Sequence, residues 1–176
     1  MRQGSRKGPF IRVVPLGDGR PRLVCGACGY VAYENPKIIV GAVCTWKGQY
    51  LLCRRAIEPR RNYWTMPAGY LEMSETAEHG ARREIWEEAR ARVELDALLA
   101  IYSLPHISQV HLIYRAPMLT AECTPGTESL EVRLFRWEEI PWAALAYPNV
   151  AWSLHYHREL VGRADFAPRG IPAGAV

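Results

Sequence analysis

Apolar residues along the chain follow two different periods. In the first half, the runs IIVGAVCTW and QYLLCRRA flank Lys47 and Gly48, which predicts two strands joined by a hairpin turn. Later strand-like runs are ARVELDALLAIYSL, QVHLIYRAPML and VRLFRWEEI, whereas the segment from about Thr76 and the segment VAWSLHYHREL have a helical period. Strands, one helix, more strands and a closing helix favour a mixed α/β sandwich over an alternating doubly wound fold.

The first predicted helix crowds three glutamates, Glu84, Glu87 and Glu88, into little more than one turn. At about 100° per residue they border the row expected to face the core, which is Ala77, Ala81, Ile85 and Ala89. Glu84 and Glu88 are also a like-charge i, i+4 pair, which costs about 0.2–0.5 kcal/mol unless something offsets it. One interpretation is a solvated face, because arginines on the same helix can pair with the carboxylates; the other is a shared binding site. Thr76 is the expected N-cap, with Ser74 as the alternative.

The spacing upstream of these glutamates separates the two interpretations. Five residues lie between Gly69 and Glu75, seven more precede Arg83, and the helix then reads REIWEE. This arrangement resembles the Nudix box, the loop–helix–loop signature of hydrolases that act on a nucleoside diphosphate linked to another group. The resemblance implies a Nudix-type α/β/α sandwich with a mixed sheet, and it favours the shared binding site.

In that family the clustered carboxylates bind divalent cations, normally Mg²⁺ and alternatively Mn²⁺, which neutralise a pyrophosphate and activate water. The resemblance implies that Glu84 and Glu88 are metal ligands and that Glu87 contributes directly or through water. A backbone carbonyl, that of Ala68, is implied as a further ligand. The residues expected to orient the box are Gly69, Glu75 and Arg83. The glycine lets the backbone approach the metals closely, and the two charged side chains form a salt bridge.

The box departs from the family pattern at its end, where Arg90 stands in place of a glycine. That glycine usually forms a left-handed turn, in which arginine is strained by about 1 kcal/mol. Because the position follows the last glutamate, we expect an altered exit from the helix and preserved metal chemistry. A catalytically silent relative is the alternative.

The resemblance extends from about Cys25 to Phe166, through YENPKIIVGAV, LLCRRAIEPRRNYWTMPAGYLE, YSLPHISQV and ESLEVRLF. Over these segments the chain is similar to a subgroup of Nudix hydrolases with an N-terminal zinc ribbon. Members of that subgroup cleave FAD or ADP-ribose, and their more distant relatives cleave NADH. The resemblance predicts a dinucleotide pyrophosphatase that releases AMP, and homodimers that complete the pocket are common in the ADP-ribose branch. The expected organisation is a degenerate zinc-ribbon-like segment (1–36), a Nudix hydrolase domain (37–167) and a C-terminal tail (168–176).

A zinc ribbon needs four ligands, usually two CxxC knuckles. One knuckle is present, formed by Cys25 and Cys28, whereas residues 1–22 contain neither cysteine nor histidine and are expected to be irregular. Cys44 and Cys53 fall in predicted core strands, where a free cysteine behaves as a small hydrophobe. The sequence therefore favours loss of intrachain zinc binding, with a zinc site at Cys25 and Cys28 as the alternative, and in either case the knuckle is expected to persist as a structural turn.

Four residues outside the box are candidates for binding the substrate: Arg55, Tyr63, Trp64 and His106. Arg55 ends a predicted strand where relatives often place a phosphate-contacting residue, and a surface charge is its alternative. Tyr63 or Trp64 can stack on an adenine or flavin, which contributes about 1–3 kcal/mol, although core packing of Trp64 is nearly as well supported. His106 lies in a segment that resembles the one shaping the second half of the substrate site, and it is also a candidate base; simple solvent exposure is its alternative.

Two glutamates near the last predicted strand, Glu131 and Glu128, are candidates for a further metal ligand or the general base. The family pattern favours Glu131 over Glu128, and an ordinary edge charge is the alternative for both. Family members differ in which glutamate removes the proton from water, and a coupled cluster of carboxylates and metal does not reveal it.

Composition limits the function without defining it. The chain of 176 residues has a net charge of +4 and a pI near 8.9, which favours an anionic ligand but includes no dense basic stripe for nucleic acid. The five cysteines do not form a disulfide framework, and no apolar run reaches the roughly 20 residues of a membrane span, so a cytoplasmic protein is expected. Alternatives to FAD or ADP-ribose are NADH and nucleoside triphosphates, and a non-catalytic nucleotide-sensing module is the alternative from another class.

Overall fold

The computed structural model describes residues 8–174, which divide into two units, one up to Asn35 and one from Pro36. The strands are β1 (Ile11–Val13), β2 (Arg22–Val24), β3 (Val31–Ala32), β4 (Lys37–Trp46), β5 (Gln49–Arg55), β6 (Trp64–Thr65), β7 (Ala68–Tyr70), β8 (Ala97–Leu104), β9 (Gln109–Pro117) and β10 (Ser129–Phe135). The α-helices are α1 (Ala77–Ala89) and α2 (Pro148–Glu159). Short 3₁₀ turns cover Pro105–Ile107, Trp137–Glu139 and Trp142–Ala144.

The first unit contains an antiparallel sheet of three short strands in the order β1-β2-β3. The CxxC turn after β2 is closed by hydrogen bonds from Gly29 N to Cys25 O and from Cys25 N to Tyr30 O, both 2.8 Å. The expectation of an irregular start is wrong for β1, because a three-residue strand is too short to show a period but still pairs its backbone with β2. Residues 1–7, to which the same expectation applied, lie outside the described part of the chain.

The second unit is built around a seven-stranded mixed sheet with the main order β10-β5-β4-β9-β8. β4 and β5 form the predicted hairpin, with φ of 47° and 80° at Lys47 and Gly48, and β4 runs parallel to β9. Away from this turn β4 and β5 separate, since β6 pairs with β5 and β7 pairs with β4. The sheet therefore has a split, bounded by β6 on one side and β7 on the other.

One α-helix packs on each face of this sheet. Helix α1 packs on the face that carries Val40 and Ala42, which is called the α1 face below. Helix α2 packs on the opposite face, which carries Val43 and Leu52 and is called the α2 face. Successive strand residues belong to different cores, as the two-residue period of a strand requires. The predicted α/β/α sandwich with a mixed sheet is confirmed. Within residues 8–174, neither α-helix has the length and apolar content needed to span a membrane.

Part of the predicted C-terminal tail extends the sheet. Arg169 donates a backbone hydrogen bond to Leu99 O and accepts one from Ile101 N, both 2.9 Å. These bonds cover one stretch of the edge strand β8, which would otherwise expose unpaired backbone groups. Residues 175–176 of the predicted tail lie outside the described range.

Candidate active site

Helix α1 presents its glutamates beside the box glycine. Thr76 is the N-cap, as predicted, and its hydroxyl accepts a hydrogen bond from His79 N at 3.2 Å. The buried residues that fix the rotation of the helix are Ala81, Ile85 and Ala89. A Cβ on Gly69 would collide with the Glu84 carboxylate, so the absence of a side chain lets Glu84 lie across β7.

Arg83 is the centre of the charged network. Its guanidinium donates hydrogen bonds to both carboxylate oxygens of Glu75, at 2.7 and 3.1 Å, and to the Tyr70 carbonyl at 2.9 Å. The same group contacts Glu84 at 2.7 Å and Glu87 at 3.2 Å. Hydrogen bonding to Arg83 lowers the pKa of Glu75 to about 2. The contacts expected of a box-orienting pair are present, and the orienting role itself stays a proposal.

Glu88 is the most enclosed acid of the helix, with 8% of its surface exposed. Its Oε2 accepts a hydrogen bond from Ala68 N at 3.3 Å. Burial, together with the charge of Glu84, raises the pKa of Glu88 to about 8. Burial also raises the pKa of Glu84, and the charges of Glu87 and Glu128 add to that rise. A buried carboxylate among other carboxylates is unfavourable unless a proton or a cation compensates.

Glu128 reaches this cluster through the loop after β9. Thr124 N and Gly126 N donate to the last carbonyl groups of α1, at 2.8 and 3.0 Å, so the loop caps the helix end. A Cβ on Gly126 would overlap the carbonyl oxygen of Glu87. The close approach of this loop to α1, and hence the position of Glu128, depends on a glycine there.

Glu131 lies on the other face of the sheet. Its carboxylate contacts Arg54 at 3.1 Å, and its alternation with Phe135 along β10 places it on the α2 face. A register irregularity lies between Ser129 and Glu131, where two residues of β10 advance against one of β5. The structure therefore brings Glu128, and not the favoured Glu131, next to the glutamates of α1.

Arg90 ends α1 in the left-handed conformation, with φ of 52° and ψ of 21°, and its N donates to Trp86 O at 3.0 Å. The expected alteration of the helix exit is therefore wrong, because the arginine adopts the backbone conformation of the missing glycine. Its guanidinium lies 5.5 Å from the centroid of the Trp86 ring, and that of Arg92 lies 5.9 Å from the same ring. These cation–π contacts offset part of the backbone strain.

Arg55 lies on the opposite side of the split from β7. Its charge opposes the rise in the pKa of Glu88. Its Nε donates to Pro59 O at 2.9 Å, Tyr147 Oη donates to the same carbonyl at 3.4 Å, and the guanidinium lies 5.7 Å from the Tyr147 ring. The loop after β5 and the start of α2 thus hold Arg55 towards the carboxylates.

The other predicted substrate-binding residues are more scattered. Tyr63 is 36% exposed, with the Arg60 guanidinium 5.3 Å from its ring centroid. Trp64 packs edge-on against Phe135 at 4.8 Å in the core under α2, which supports the packing alternative over base stacking. His106 is exposed in a 3₁₀ turn, as its alternative reading held.

A polar group that the sequence reasoning missed lies on β9 and α2. Asn149 Nδ2 donates to His111 Nδ1 at 3.1 Å, and His111 Nε2 donates to Gln109 Oε1 at 2.9 Å. Burial lowers the pKa of His111 to about 4. The parity of His111 with the apolar Ile113 in QVHLIY was the available signal that this histidine points inward.

The donor set of the box fits a hard divalent cation, because carboxylate and carbonyl oxygens are the ligands that Mg²⁺ and Mn²⁺ prefer. The raised pKa of Glu88 marks a place where either a proton or a cation must offset the carboxylate charge. In the present rotamers Arg83 occupies Glu84 and Glu87, and among residues 8–174 no three acidic, histidine or cysteine side chains converge on a metal-binding arrangement. Arg83 contacts only one carboxylate oxygen of each, Oε1 of Glu84 and Oε2 of Glu87, so the second oxygen of each side chain stays available to a cation.

The CxxC pair of the first unit is not a complete zinc site. Cys25 is buried and Cys28 is exposed, and no third metal-binding side chain joins them in the described part of the chain. A Cβ on Gly26, inside the knuckle, would come 2.7 Å from Cδ1 of Ile11. An apolar side chain thus lies against the knuckle, and the loss of intrachain zinc stays a prediction.

Sequence profiles of known families match both units of the chain. The profile described as "NUDIX domain" matches residues 35–158. The profile of the zinc-ribbon segment described as "Nudix N-terminal" matches residues 7–34. The first match contains the glutamate cluster, and the second contains the CxxC pair.

Individual relatives agree with these matches. A crystal structure of a NUDIX hydrolase from Nitrosomonas europaea has 46% sequence identity and a TM-score of 0.87, over 95% of each chain. A protein named ADP-ribose pyrophosphatase from Methanocaldococcus jannaschii is 24% identical over 69% of this chain and 74% of its own length. A MutT-like protein from Streptomyces ambofaciens is 39% identical over 44% of this chain, and the match spans about half of that relative, 48%.

Proposed function

This chain is a member of the Nudix hydrolase family, and on that premise we propose that it cleaves the pyrophosphate bond of ADP-ribose or FAD with Mg²⁺ or Mn²⁺ and releases AMP. The name of the Methanocaldococcus relative supports ADP-ribose. The resemblance of the flanking segments to members that cleave FAD or ADP-ribose supports both substrates. A homodimer that completes the pocket stays a prediction.

The observation that carries the proposal is the enclosed carboxylate group at β7. Glu84 lies across Gly69, and Glu88, 8% exposed, accepts a hydrogen bond from Ala68 N. The residues proposed to hold the cation are Glu84, Glu88 and the Ala68 carbonyl, with Glu87 as a direct or water-mediated ligand. A bound Mg²⁺ or Mn²⁺ supplies positive charge to the pyrophosphate and lowers the pKa of a coordinated water.

Neighbouring residues have supporting roles in this proposal. Arg83 joins Glu75 to the Tyr70 carbonyl and so fixes the loop between β7 and α1. Arg55, held by Pro59 O, directs its guanidinium towards the carboxylates and is proposed to bind a phosphate. Glu128 is proposed as the further ligand or base ahead of Glu131, because it lies close enough to raise the pKa of Glu84 and Glu131 faces Arg54.

The test is product analysis after incubation with ADP-ribose, FAD, NADH and nucleoside triphosphates, each with and without Mg²⁺. We expect Mg²⁺-dependent AMP from ADP-ribose or FAD. AMP from NADH, or cleavage of a nucleoside triphosphate, would keep the hydrolase class and replace the substrate. No turnover by a folded protein that binds Mg²⁺ would instead support the nucleotide-sensing module.

A further inference from the structure

Three strands place Tyr70, Ile39 and His111 side by side near the start of β4. Tyr70 on β7 and His111 on β9 both pair with Ile39 on β4, so the three side chains share the α2 face. Ile39 and His111 are partly exposed and Tyr70 is 48% exposed, whereas Gly41, two residues further along β4, is buried. This row forms an open shelf at the edge of the core.

One side of the shelf carries hydrogen-bonding groups without net charge. His111 lies between Asn149, which donates to its Nδ1, and Gln109, which accepts from its Nε2. The low pKa of His111, caused by burial, keeps the imidazole neutral. Each amide has a second polar group beyond the one that contacts His111, a carbonyl oxygen on Asn149 and an N–H₂ on Gln109.

We propose that Tyr70, Ile39 and the group Gln109–His111–Asn149 form the subsite for the adenine ring of the substrate. Two inter-strand spacings separate Tyr70 from His111, roughly 10 Å between backbones, which leaves room for a planar ring on Ile39. An aromatic side chain stacks on a base, and amide side chains pair with the donors and acceptors on the edge of adenine. The subsite rests on the proposed pyrophosphatase function, because its ligand is half of that substrate.

The position of the shelf connects it to the carboxylates. Gly69 and Tyr70 are neighbours in β7 and face opposite sides of the sheet, so Glu84 lies on one side of this strand and the shelf on the other. β7 has three residues and pairs with β4, and its other edge borders the split. A substrate whose pyrophosphate binds at Gly69 can therefore pass over this edge and place its nucleoside on the shelf.

The charges favour a base over a phosphate at this position. The group around His111 is neutral, and a phosphate subsite requires cations or several backbone N–H donors. Lys37 does lie at the shelf: it shares the face of Ile39 and pairs with Gln109 in the register with β9, and its Nζ is 5.0 Å from the Tyr70 ring centroid. Its place at the Tyr70 side suits contact with the ribose or the phosphate that follows the base.

The experiment measures AMP binding by calorimetry in the presence of Mg²⁺. Tyr70→Ala and His111→Asn are expected to weaken AMP binding by about tenfold, the scale of one stacked or paired base. Tyr70→Phe, which keeps the ring, and His155→Asn, a matched change on the exposed side of α2, should stay within about twofold. Binding of ribose 5-phosphate should be equal in all four variants, and thermal unfolding verifies that each is folded.

Hydrolysis assays on the same proteins separate the two proposals. If AMP binding is unchanged in Tyr70→Ala and His111→Asn while ADP-ribose is hydrolysed, the subsite is wrong and the function stands. If the variants weaken AMP binding but no dinucleotide is hydrolysed, the function is wrong and the subsite stands. If FMN binding responds and AMP binding does not, the shelf takes the flavin and the adenine assignment is overturned.

Discussion

The two regions that carry recognisable motifs differ in how much of each motif remains. The box on β7 and α1 keeps all its glutamates and departs from the family pattern at Arg90, whereas the knuckle keeps two of the four ligands of a zinc ribbon. At the box, Glu88 is buried beside like charges despite the cost. At the knuckle, apolar Ile11 lies against Gly26. A buried cluster of carboxylates needs a proton or a cation to offset its charge, whereas a CxxC turn with an apolar side chain against it can be held by packing alone.

The largest expected effect is that of Glu88→Gln, which should separate activity from stability. Activity should fall at least about 100-fold, because a metal ligand is removed. Stability without metal should rise by on the order of 2 kcal/mol at pH 7, because Glu88, with a folded-state pKa of about 8 and a lower unfolded value, must take up a proton to fold at that pH and glutamine avoids this cost. Assays of kcat/KM and thermal unfolding with chelator present measure the two changes.

The matched control is Glu78→Gln in the first turn of the same helix, which should change kcat/KM by less than about twofold. An active Glu88→Gln protein would remove Glu88 from the metal site. A destabilised one would mean that the site accommodates the carboxyl group of Glu88 better than an amide of the same size, despite the neighbouring carboxylates.

The box could be predicted from the sequence because its information is local. Glu84 and Glu88 are four residues apart on one helix, about one turn, so their shared face follows from spacing alone. The position of Glu128 beside these glutamates could not be predicted, because the irregularity between Ser129 and Glu131 shifts the register at the start of β10 and strand alternation does not reveal it.

Long-range contacts account for the remaining differences. The partner of His111 is Asn149, 38 residues away, and the contact from Tyr147 to Pro59 spans 88 residues. No window of sequence contains both members of either pair. Their roles emerge only when the split sheet brings β9, the loop after β5 and the start of α2 together.

The backbone is tightly packed beside the box, at Gly126, and open in the first unit, at Gly19, so Gly126→Ala should be the more destabilising of the two glycine substitutions. A methyl group there overlaps the carbonyl oxygen of Glu87, so the loop must leave the end of α1 and lose the hydrogen bonds of Thr124 and Gly126. We expect a loss of about 3 kcal/mol in the free energy of unfolding, from overpacking and two hydrogen bonds. Activity should fall as well, because Glu128 moves with the loop. Denaturant unfolding and kcat measure both effects.

The matched control lies in the first unit. Gly19 has open space around its Cα, so Gly19→Ala should change the free energy of unfolding by less than about 0.5 kcal/mol. Equal effects at both positions would show that the loop after β9 yields easily and that its contact with α1 does not determine where Glu128 lies.

A smaller effect is expected where the box itself departs from its pattern. Arg90→Gly removes about 1 kcal/mol of left-handed strain but also one cation–π contact with Trp86, which contributes about 0.5 kcal/mol at an exposed site. The net result should be a gain near 0.5 kcal/mol, measurable by denaturant unfolding, with kcat unchanged. A net loss would show that the arginine is held by its ring contact strongly enough to replace the glycine at no cost.

The smallest effect is expected from zinc, and it tests the other half of the comparison. Backbone N–H groups of Ala27 and Cys28 lower the pKa of Cys25 to about 7, so the knuckle still favours a thiolate. Two cysteines nevertheless supply half of a tetrahedral site, and β1, β2 and Ile11 hold the turn without metal. Purified protein should therefore contain almost no zinc by elemental analysis, and a chelator should leave thermal unfolding unchanged. About one zinc per chain would reveal ligands beyond the knuckle. About one zinc per two chains would mean that a second copy completes the site. Either result would contradict the prediction that the knuckle has lost its metal.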